Sequence, residues 1–123
     1  MTKARAKKTI LSHLERHTNT TGNFMVTHRK CQYWYKVLQK AMFTDMKVPA
    51  EFVVRRLRSD WGHYLNNVIT ITTRIKTRQM FMNTLAHEMV HHYERTVLKE
   101  IPCHSDVYIE YARRFKEELN IDL

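Results

Sequence analysis

The chain predicts an α+β domain, helices around a small antiparallel sheet, and three observations carry that expectation. Apolar residues recur at helical spacing in several stretches. Two short runs, Phe52 to Arg58 and Val68 to Thr72, alternate as strands do. The pairs Trp61-Gly62 and Asn66-Asn67 supply turn chemistry between them. With 123 residues and 43% hydrophobic content, the chain suits one domain, 1–123, with a modest core. Within it a basic helical part, 1–50, precedes a part, 51–123, that holds the chemistry.

Taken in order, a first short helix is expected from about Thr9 to His17, with Ile10, Leu11 and Leu14 on its apolar side. Asn19 to Asn23, with Gly22 among threonines, reads as a loop. A longer helix covers about Arg29 to Phe43, its core face formed by Trp34, Val37, Leu38, Ala41 and Met42. Pro49 closes the connection to the strands. The next helix is expected from about Thr77 to Leu98, because Phe81, Leu85, Met89, Tyr93 and Val97 recur every four residues with Met82, Ala86 and Val90 beside them. After a break at Ile101-Pro102, a last helix runs from about Ser105 to Asn120 on Tyr108, Tyr111, Ala112, Phe115 and Leu119.

The third helix carries His87-Glu88-Met89-Val90-His91. Residues four apart share a helix face, so His87 and His91 can present imidazole nitrogens to one metal ion, and Glu88 can exchange a proton with water at the same place. A catalytic zinc site uses three protein ligands and leaves one position open. The candidates for the third are His13, His17, His28, His63, His92 and His104, with Cys31, Cys103 and the downstream acidic residues. His92 points about 100° away round the helix from its neighbour His91 and is expected at the surface or behind the site. His104 and Cys103 compete for the third position, at the start of a helix that would fold back on the first.

These residues resemble the SprT-like zinc metallopeptidases, the group that includes the bacterial SprT proteins and the eukaryotic DNA-protein crosslink protease Spartan. The resemblance rests on His87-Glu88-x-x-His91, on Pro102-Cys103-His104, and on Leu57-Arg58-Ser59-Asp60-Trp61-Gly62, and it spans about Phe52 to Phe115. It implies Zn²⁺ as cofactor, His104 as third ligand, Glu88 as the catalytic base, a compact gluzincin-like zincin core and peptide-bond hydrolysis. It also implies a protein or peptide substrate lying extended along a strand, either Val68 to Thr72 or its hairpin partner. Two departures stand out. No four-cysteine zinc ribbon can form from two cysteines, and Ser105 occupies the position after the third histidine where glycine is frequent.

For the developing oxyanion, Tyr93, Tyr108, Tyr64 and His63 are candidate donors, while Arg58, Asp60 and Trp61 are expected to hold the hairpin beside the cleft. Charge is one-sided. The net charge is +9, and residues 1–58 hold 13 Lys/Arg against 3 acidic side chains, whereas 59–123 hold 8 against 9. Lys3, Arg5, Lys7 and Lys8, then Arg29, Lys30, Lys36 and Lys40 around Tyr33-Trp34-Tyr35, are candidate nucleic-acid-binding residues, which suggests DNA as a partner, single-stranded or damaged. No apolar run is long enough for a membrane, and the basic amino terminus lacks the apolar stretch of a signal peptide. The expectation is an intracellular protein, cytoplasmic or nucleoid- or nucleus-associated, with reduced thiols.

Overall fold

A computed structural model describes residues 1–15, 22, 24–101 and 105–123. Four helices, α1 (Lys3–Glu15), α2 (His28–Met42), α3 (Arg78–Thr96) and α4 (Asp106–Leu119), surround three strands, β1 (Glu51–Arg55), β2 (Gly62–Leu65) and β3 (Val68–Thr72). His17, most of the expected loop Asn19 to Asn23, and Pro102-Cys103-His104 lie outside the described residues.

The sheet is mixed, not antiparallel. Its order is β1-β3-β2, with β1 parallel to β3 and β2 antiparallel to it. The β2–β3 hairpin turns through Asn66 and Asn67, both at positive φ (50° and 66°), the conformation of a two-residue turn that matches strand twist. That turn returns the chain beside β2, and β3 then fits between β2 and β1. The threonines of β3 are what the alternation misreads. Thr70 and Thr72 are buried along with Ile69 and Ile71, and the Thr72 hydroxyl oxygen accepts hydrogen bonds from the backbone N–H of Leu57 (3.0 Å) and Arg74 (3.2 Å). A strand buried on both faces belongs in the middle of a sheet. β3 is therefore paired on both sides and cannot receive a substrate strand. The edges are β1 and β2.

Helix α1 starts well before the expected Thr9. Lys and Arg are good helix formers, Ala6 joins Ile10 in the core, and Lys3, Arg5 and Lys8 project outward. Helix α2 is capped by Thr27, whose hydroxyl accepts from the Lys30 N–H at 3.1 Å, and it buries Trp34, Val37, Leu38, Ala41 and Met42 as its spacing predicts. Phe43, just past α2, is fully buried and stacks on Tyr111 (centroids 4.8 Å apart), with Phe115 and Tyr93 at 5.7 and 5.9 Å. This aromatic group joins the end of α2 to α3 and α4.

Helix α3 is enclosed by α2, α4, β2 and β3 and buries residues on most of its circumference. His92 consequently lies in the interior, which leaves the place behind the site and rules out the surface one of the two that were expected. It is 0% exposed, and its Nε2–H donates to the Val48 carbonyl (2.6 Å) while Nδ1 accepts from the Tyr64 hydroxyl (2.8 Å). Burial lowers its pKa, so the ring is held neutral between sheet and helix. Among the described residues no helix is long and apolar enough to cross a membrane.

Candidate metal centre

Thr77 caps α3 by accepting from the Met80 N–H at 3.1 Å, and the helix then runs unbroken through His87, Glu88 and His91. One nitrogen from each histidine and one carboxylate oxygen of Glu88 lie within 4.8 Å of one another, and this group can hold a metal ion. The two Nε2 atoms are 3.2 Å apart. Two imidazole nitrogens on one tetrahedral zinc, each about 2.0–2.1 Å from it, sit about 3.3 Å apart, so the pair fits such an ion. The other ring nitrogens point away. His91 Nδ1 lies 2.8 Å from Glu94 Oε1 and His87 Nδ1 lies 2.9 Å from the Tyr108 hydroxyl.

Glu88 is 5% exposed, and burial, reinforced by the nearby Asp60 carboxylate, pushes its pKa up to about 7. With His87, Thr84 and the Ser59 to Gly62 segment, and with Asp122 and Leu123, it lines a hollow of about 300 Å³. A larger hollow of about 680 Å³, between α2 and β1, contains none of His87, Glu88 and His91.

Gly62 is what brings β2 so close. A Cβ there would stand 2.8 Å from the Thr70 carbonyl oxygen, 2.9 Å from Thr84 Cγ2 and 3.4 Å from Glu88 Oε2. Gly62→Ala is therefore expected to push β2 off α3, destabilising the fold by about 1–3 kcal/mol and displacing the Glu88 carboxylate. Chemical denaturation measures the first effect. A variant as stable as the parent would show that β2 yields freely.

The remaining predicted residues divide clearly. Arg74 stacks over the Trp61 ring (4.8 Å) and donates to the carbonyls of Leu57 (3.3 Å) and Arg58 (2.8 Å), so the Arg58 to Trp61 segment is held by a residue the sequence did not single out. Of the four candidate oxyanion donors, Tyr108 touches the histidine pair. Tyr64 is engaged with His92, Tyr93 donates to Asp45 at 2.9 Å, and His63 lies on β2. Burial raises the Tyr108 pKa, with Glu88 and Glu94 adding to it, so its hydroxyl keeps its proton. Among the other histidines considered as ligands, His13 packs on Trp34 (4.2 Å) and His28 against Phe52 (6.3 Å), both away from the pair. Cys31 is buried in the core and free, and burial raises its thiol pKa to about 12. His104 and Cys103 lie outside the described residues.

Of the basic side chains, Lys3, Arg5, Lys8, Arg29, Lys36 and Lys40 are exposed. Lys7 pairs with Glu118, and Lys30 donates to the Met25 carbonyl (2.8 Å) while lying over Phe24. Trp34 and Tyr35 belong to the core and Tyr33 is 48% exposed.

Sequence reasoning did not single out Glu94 among the downstream acidic residues and gave Ser105 no part in the site. Glu94 stands three residues after His91, a spacing that places it one turn along the same face. That signal was present in the chain. No family model, no curated protein and no solved structure matches the chain.

Proposed function

We propose that the chain is a zinc-dependent metalloendopeptidase of SprT-like type, with a zincin core, acting on proteins associated with or crosslinked to DNA. The observation that carries the peptidase reading is the pair of Nε2 atoms 3.2 Å apart, with the buried Glu88 carboxylate on the same helix beside an open cleft. His87 and His91 would hold the ion, with His104 as third ligand. Its sequence neighbour Ser105 is bonded to Glu94 on α3, which supports that assignment. A divalent cation there makes water easier to deprotonate and polarises a carbonyl group. Glu88 takes the proton of the attacking water at a carboxylate oxygen and returns it to the leaving amine. The substrate backbone adds to β2, an edge strand that begins at Gly62 beside Glu88. Recognition through main-chain hydrogen bonds is tolerant of side chains, which suits a protease of broad sequence range.

The DNA part rests on the outward-facing basic side chains of α1 and α2. Arg5 and Lys8 share a hollow of about 410 Å³ with Tyr33, so cations for phosphate and a ring for base stacking stand together. Metal analysis combined with degradation of a protein substrate, with and without single-stranded DNA, tests both parts. Zinc-dependent cleavage that rises with DNA is the expected result. Cleavage indifferent to DNA removes the DNA role, leaving a general zinc peptidase. Zinc bound without cleavage under any condition reduces the site to a structural one.

A further inference from the structure

A histidine that offers Nε2 to a cation must carry its proton on Nδ1, and something has to keep it there. In this chain the first turn of α4 reaches both rings of the pair. Glu94 is 0% exposed, and its Oε1 lies 2.8 Å from His91 Nδ1 while its Oε2 lies 2.6 Å from the Ser105 hydroxyl. Ser105 is at the same time the N-cap of α4, accepting from the Tyr108 N–H at 3.3 Å. Tyr108, in that turn, places its hydroxyl 2.9 Å from His87 Nδ1, and its ring stacks on His91 with centroids 5.8 Å apart.

The two contacts differ in what they enforce. A hydroxyl both donates and accepts, so Tyr108 places His87 without dictating its tautomer. A carboxylate only accepts. Between His91 Nδ1 and Glu94 the proton must therefore sit on the ring nitrogen, leaving Nε2 with its lone pair facing His87. A buried carboxylate is costly unless its oxygens are hydrogen-bonded, and Ser105 serves the second oxygen.

The geometry points to Glu94, braced by Ser105, as a positioning residue that locks His91 in its cation-binding tautomer and strengthens Nε2 as a ligand. This rests on the metal reading above, and it adds that the start of α4 controls the affinity of the site. Glutamine at position 94 keeps the size but brings an NH₂ group, which permits the opposite tautomer and removes the charge.

The test has two arms. In the metal-free protein, heteronuclear NMR of the imidazole nitrogens should find the His91 proton on Nδ1 in the parent and a mixture in Glu94→Gln. In chelator competition with Zn²⁺ alone, Glu94→Gln should bind about 10- to 100-fold more weakly, and Ser105→Ala, which leaves Glu94 in place, should lose less. Parent protein with the His91 proton on Nε2, or a Glu94→Gln variant holding Zn²⁺ as tightly as the parent, would overturn the assignment. A parent that binds no Zn²⁺ would sink the metal reading, while the metal-free NMR arm still decides the role of Glu94. Should Glu94→Gln fail to fold, the parent tautomer and the Ser105→Ala titration decide it.

Discussion

Glu88→Gln is expected to abolish hydrolysis while the cation stays bound. The two side chains have nearly the same size, so the replacement leaves the packing against Gly62 and Thr84 in place. Neither His87 nor His91 is touched, and their Nε2 atoms keep their separation of 3.2 Å. What disappears is the carboxylate that stands with the histidine pair and can take a proton from the attacking water and hand it on. Loss of a general base costs about 100- to 10,000-fold in rate. Stability should hold within about 1 kcal/mol, because an amide escapes the penalty that burial and Asp60 impose on a charged carboxylate. Metal analysis and turnover on the same preparation check both halves. Zinc-dependent turnover undiminished in the variant would take Glu88 out of the mechanism.

Phe43→Ala should cause the largest loss of stability, about 3–5 kcal/mol. Phe43 is fully buried where α2 ends, stacked on Tyr111 and in contact with Phe115 and Tyr93. Removing the ring leaves a cavity bounded by three elements, none of which can collapse into it without moving the others. Small domains are stable by only about 5–15 kcal/mol, so the change consumes a large share of the total. A fall in the denaturant midpoint at constant slope is the expected reading. A loss below about 1 kcal/mol would mean that the aromatic group repacks around the gap. The substitution should also weaken cation binding, since α4 carries Ser105 and Tyr108 to Glu94 and His87.

How much of this was legible in the chain depends on the range of the interaction concerned. The core face of α2, from Trp34 to Met42, and the long α3 pattern were readable because helical spacing is local, and the apolar residues that recur on it must be buried together. The two asparagines at the β2–β3 turn were readable for the same reason. The central place of β3 was not. Threonine counts as polar in any alternation, yet Thr70 and Thr72 are buried, and the Thr72 hydroxyl accepts from the backbone of Leu57, fifteen residues away, as well as from nearby Arg74. For His92 the sequence left two places open, the surface or behind the site. The choice between them fell to Val48 and Tyr64, far away in sequence, which bond its two ring nitrogens in the interior.

By itself the sequence determined that His87, Glu88 and His91 share one stretch of helix, because a period of 3.6 residues leaves no other arrangement for side chains at that spacing. It determined as well which half of the chain carries the positive charge. Only the tertiary structure decided what stands behind each ring, which strand edge lies open beside Glu88, and that α4 reaches back to α3 through Ser105 and Tyr108. Those outcomes depend on contacts between residues far apart in the chain. Hydrogen-bond partners of that kind are selected by packing, and local periodicity carries no record of them.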